Sequence, residues 1–67
     1  MTRESVERLA QEVYGPEVNV LSQALNPELV QVAVVHSKGI PLVLVTAKTE
    51  ESGAVALVAA LNALKAG

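Results

Sequence analysis

Leu29-Val-Gln-Val-Ala-Val-Val-His36 and Ile40-Pro-Leu-Val-Leu-Val-Thr-Ala47 are two runs rich in Val, Leu and Ile, separated by Ser37-Lys38-Gly39. Branched aliphatic runs of this length, joined by a tight connection with a glycine free to take positive φ, predict a β-hairpin. A three-residue loop with Gly39 in a bulge sets His36 opposite Ile40. Val34/Leu42, Val32/Leu44 and Val30/Thr46 then follow as cross-strand pairs on one face, and Val35/Pro41, Ala33/Val43, Gln31/Val45 and Leu29/Ala47 on the other. Both faces are mostly apolar, so both need cover. Pro41 has no N–H to give to a ladder, which places its strand at a sheet edge.

On either side of the hairpin the period changes. Ser52–Leu64 reads Ser-Gly-Ala-Val-Ala-Leu-Val-Ala-Ala-Leu-Asn-Ala-Leu, a helix with no charged residue. Thr49 is its expected N-cap, Glu50 and Glu51 suit the positive end of the dipole, and Lys65 and Gly67 suit the other end. Ala54, Leu57, Val58, Leu61 and Leu64 form a large apolar stripe, while Val55, Ala56, Ala59, Ala60 and Ala63 form a second surface of small residues. Alanine surfaces permit close helix approach, so these five are the candidate self-association residues.

Toward the N-terminus, Val6, Leu9, Ala10, Val13 and Tyr14 recur at i, i+3, i+4, i+7 and i+8, which predicts a one-faced amphipathic helix. Thr2 is its expected N-cap, and Gly15-Pro16 stops it. Glu17–Leu25 fits a short helix started by Pro16 through Val18, Leu21 and Leu25, and also an extended piece through Val18 and Val20. The helix is the expectation taken forward. Asn26-Pro27 breaks the chain there, because a residue before proline is pushed out of the helical region. The fold class expected is a two-layer α/β (α+β) single domain over residues 1–67: helix, short helix or loop, strand, strand, helix. Its two-stranded sheet is to be extended by oligomerisation.

Composition narrows the function classes. With 67 residues and no cysteine, a single core supplies only about 3–5 kcal/mol, and disulfides and thiolate metal sites are excluded. One histidine rules out a histidine-rich metal site, which leaves oligomerisation as the stabilising device. The net charge is −2, and Arg3, Arg8, Lys38, Lys48 and Lys65 are scattered. Nucleic acid binding needs a clustered basic face with rings for stacking, whereas here the sole aromatic is Tyr14. The longest apolar runs fall short of the roughly 20 residues of a membrane span, and no signal-type segment opens the chain. A soluble, cytoplasmic protein without cofactor is the expectation.

His36 is the one side chain whose ordinary pKa lies near neutrality, and with Lys38 and Tyr14 it makes a candidate small-ligand site near the hairpin turn. Strand alternation turns Ser37 away from His36, so the two make no dyad, and no nucleophile, base and orienter set for an enzyme is present. Glu4, Glu7 and Glu12 take a solvated helix face, and Glu50 and Glu51 a helix start. The run Asn26–Ala47, followed after a short acidic loop by Glu51–Leu64 and preceded by the first helix, resembles the strand–turn–strand–alanine-rich-helix unit of Roadblock-type domains. The resemblance covers most of this chain and the first half of that family's domain. It implies a non-catalytic dimeric scaffold or regulator that binds partner proteins such as small GTPases. The function expected is therefore a self-associating interaction or regulatory module, with a small-ligand-binding protein as the alternative.

Overall fold

A computed structural model describes residues 3–67. Its elements run α1 (Arg3–Tyr14), β1 (Val18–Asn26), β2 (Leu29–His36), β3 (Pro41–Ala47) and α2 (Glu50–Ala66). The three strands form one antiparallel sheet in the order β1-β2-β3. Both helices lie on the same face, α1 against β1 and α2 against β2 and β3, and they touch each other. This is an α+β fold in two layers.

The expected short helix at 17–25 is instead a strand. Val18 and Val20 alternate into the core while Asn19, Leu21 and Gln23 alternate outward, and β1 pairs along nearly its whole length with β2. Tertiary pairing with a strongly apolar neighbour outweighs the weak helical spacing of Leu21 and Leu25. The Asn26-Pro27 break holds as a tight turn, in which the Glu28 N–H donates to Asn26 Oδ1 at 2.8 Å.

The hairpin forms as expected at its tip. The His36 N–H donates to the Ile40 carbonyl at 2.9 Å, the Gly39 N–H to the His36 carbonyl at 2.8 Å, and Gly39 has φ +86. Val35 and Pro41 pair as expected, and past them the expected register is overturned. The observed partners are Val34 with Val43, Val32 with Val45 and Val30 with Ala47, one residue displaced from the pairs read off the sequence. An irregularity between Val34 and Val35 leaves Leu42 as the extra residue beside Pro41, the position where a missing N–H makes a bulge cheap. A one-residue slip exchanges the faces of a strand. Val43 and Val45 therefore pack on the core, and Leu44 and Thr46 turn to the other side.

The core is aliphatic: Val6 and Ala10 of α1, Val18, Val20, Val32 and Val34 of the sheet, and Leu57 and Leu61 of α2. Caps follow the sequence. Thr49 Oγ1 accepts the Ser52 N–H at 3.0 Å, the Gly67 N–H donates to the Ala63 carbonyl, and Gly15 leaves α1 at φ +100. The expected cap Thr2 lies outside the described residues.

Candidate interaction surface

The two sheet edges differ. The His36 N–H points to β3, so in an antiparallel ladder its partner Val18, and with it Val20, turn their main-chain groups away from β2. Those outward carbonyls are taken by α1: Arg3 Nη2 donates to the Val20 carbonyl at 2.8 Å, and Gln11 Nε2 to the Val18 carbonyl at 3.4 Å. Past them, an irregularity between Ala24 and Asn26 bends the strand. The edge of β1 is thus blocked by side chains and a bulge, two of the ordinary protections against edge pairing.

At β3 only the first residues are protected, by Pro41 and the Leu42 bulge. Because Val43, Val45 and Ala47 face β2 in bonded pairs, the N–H and C=O groups of Leu44 and Thr46 point outward. Nothing on this segment carries charge. All five basic and seven acidic residues of the chain lie in helices and turns, none in a strand.

Above this free edge lies one flank of α2. Lys65 Nζ meets Glu12 Oε2 of α1 at 3.0 Å, and by helical spacing Val58 and Ala54 share that side. The pair is exposed and adds little stability, but it identifies the side of α2 that faces α1. Ala56, Ala60 and Ala63, spaced i, i+4, i+7, fall on the opposite flank over β3, whereas Val55 and Ala59 point away from the sheet. Four of these five candidate residues are exposed, and Ala60 is half-buried. The structure therefore divides the small-residue surface into an edge flank and an outer side, a division that composition alone does not reveal.

The candidate ligand residues do not converge. His36 ends β2 with 24% of its side chain exposed, its Nε2 at 3.3 Å from Glu17 Oε2 and its Nδ1 accepting the Lys38 N–H at 3.2 Å. An open groove beside it is lined by Arg3, Glu7, Asn19 and Ser37, but by neither Tyr14 nor Lys38. Tyr14 packs at the margin of the core and Lys38 is exposed on the turn. His36→Gln places an amide near the position of Nε2 but loses the Nδ1 acceptor of the turn and part of the packing of a ring three-quarters buried. Its expected cost is about 1 kcal/mol, checked by urea unfolding.

Among the described residues no group of three His, Asp or Glu is arranged to hold a metal, and no helix is long and apolar enough to cross a membrane. Protein-family models, curated proteins and solved structures were compared with this chain, and none matches.

Proposed function

We propose that this chain is a non-catalytic interaction module that works as a homo-oligomer, two copies joining through β3. The observation that carries the reading is the asymmetry of the sheet: α1 blocks one edge, and the other is open, uncharged and overhung by alanine. A two-fold axis beside Val45 brings Leu44 of one copy opposite Thr46 of its partner, closing about four main-chain hydrogen bonds and making one six-stranded sheet. The same axis sets the two α2 helices side by side along Ala56, Ala60 and Ala63, where small side chains permit close packing. The Roadblock-type resemblance implies the same kind of role, a dimeric scaffold or regulator for a partner protein. A ligand site at the hairpin turn has less support, since His36, Lys38 and Tyr14 do not share a cavity.

Thr46→Pro tests the edge. The Thr46 N–H points away from β2, so proline there removes an outward donor while leaving the ladder with Gln31 intact. Sedimentation equilibrium at micromolar concentration is expected to give a mass well above the 7.0 kDa of one chain for the parent and half that mass for Thr46→Pro, with helical circular dichroism unchanged. Ala56→Glu, which places like charges in the helix contact, is expected to shift the equilibrium the same way. A parent mass of 7.0 kDa, or a Thr46→Pro mass equal to the parent's, overturns the reading.

A further inference from the structure

The face of the sheet opposite the helices is bare, and its relief is specific. Leu21, Ala33 and Leu44 are Cα partners across the three strands. The outer two are 50% and 54% exposed, while Ala33 between them is 7% exposed. A short side chain between two long ones makes a trough along β2, of about 350 Å3, floored by Gln31, Ala33 and Val35 and walled by Leu21 and Leu44. The next row across the sheet is Gln23, Gln31 and Thr46, and the row on the other side is Asn19, Val35 and Pro41.

We infer that this trough receives the same face of a second copy, so that two sheets pack face to face with Leu21 and Leu44 of each seated over Ala33 of the other. Three features favour a copy as the occupant. The strands that build the face carry no charge of either sign, so two identical faces meet without like-charge repulsion, and nothing there attracts an acidic or basic partner. Every polar group on it is an amide or hydroxyl, each able both to donate and to accept, and so self-complementary under a two-fold axis. The area is sufficient: three strands about 4.8 Å apart and eight residues at about 3.3 Å each give a face of roughly 14 × 26 Å. Counting relief, two such faces bury on the order of 1,000 Å2, the lower bound of a specific interface. Leucine ridges closing over an alanine floor give the interdigitation that sheet-on-sheet packing at about 10 Å requires.

This contact is separate from the edge pairing and rests on that proposal only for the number of subunits: with both, four copies assemble, and with the face alone, two. The test uses the full chain and sedimentation equilibrium. Leu21→Glu lies on β1, remote from the β3 edge, and is expected to weaken the face contact by about 30-fold or more, halving the assembled mass at micromolar concentration. Gln31→Glu is nearly isosteric and keeps the fold while putting a carboxylate at the trough floor of each copy. Its mass is expected to fall at pH 7 and to recover at pH 3.5, below the usual carboxylate pKa of about 4.3, while its far-ultraviolet circular dichroism matches the parent's at both pH values, which a folding defect would not do. If both variants keep the parent mass at pH 7, the face does not meet a copy and the inference fails, whatever else covers it. The two proposals fail separately. Thr46 also lies in the outer row of the face, so the edge is read from Ala56→Glu, on the helix side of the sheet. A mass halved by Ala56→Glu and not by the Leu21 and Gln31 variants leaves the edge standing and removes the face, and a mass halved by the Leu21 and Gln31 variants alone does the reverse.

Discussion

Leu57→Ala is expected to leave the isolated chain largely unfolded at room temperature. Leu57 is fully buried, is among the largest enclosed side chains, and belongs with Val32 and Val34 to the one buried cluster that α2 shares with the sheet. Truncating such a leucine costs about 2–5 kcal/mol through lost transfer energy and the cavity left behind. A single core of this size supplies only about 3–5 kcal/mol, so the loss is of the order of the whole stability. Leu64→Ala removes the same atoms from the same helix at a position 51% exposed, and its expected cost is within about 1 kcal/mol. Thermal melts by circular dichroism at two protein concentrations check both variants. On the association proposed above, mass action makes the parent Tm rise with concentration, and the Leu57→Ala melt is expected to recover cooperativity only at the higher one. A Leu57→Ala Tm within a few degrees of the parent's would mean that the core is not centred on α2.

Much of this architecture is legible in the sequence because it is written in local periods. The 3.6-residue spacing of Val6, Ala10 and Val13 and the stripe Leu57, Leu61 mark the buried sides of the two helices, and Thr49, Gly15 and Gly39 mark caps and a turn by chemistry that few other residues supply. Two features were not legible, each for a definite reason. Val18–Asn26 carries both a helical and an extended pattern, and what decides between them is a partner strand at a distance, which no local window contains. The register of β3 turns on where the chain absorbs one extra residue. With valine and leucine alternating throughout, Val43/Val45 and Leu42/Leu44 are equally apolar, so hydrophobic pattern cannot choose between them. The consequence for function is direct. With the register as observed, the short valines lie under α2 and the leucines form an exposed ridge, so the candidate surfaces are read from the fold and only in part from the alanine pattern of α2.

How closely α2 sits on the sheet is visible at Gly53, and it carries the second large effect. A Cβ built on Gly53 would meet Val32 Cγ2 at 2.6 Å, with the Ala47 Cβ at 3.7 Å. The first turn of α2 thus rests against the middle strand with no room for a methyl group. On helix propensity alone Gly→Ala stabilises a helix interior by about 1 kcal/mol. Here the expectation is the opposite sign: Gly53→Ala is expected to cost about 1–3 kcal/mol, because Val32 is buried, its χ1 is stiff, and the helix must lift away from β2 to make space. Val32→Ala removes the obstructing methyl and by itself destabilises through a cavity. If the close approach is the cause, the double variant Gly53→Ala with Val32→Ala loses less than the two single losses added, with a coupling of about 1 kcal/mol or more by urea unfolding. Strictly additive losses, or a Gly53→Ala variant more stable than the parent, would show that α2 sits farther from the sheet than the structure has it.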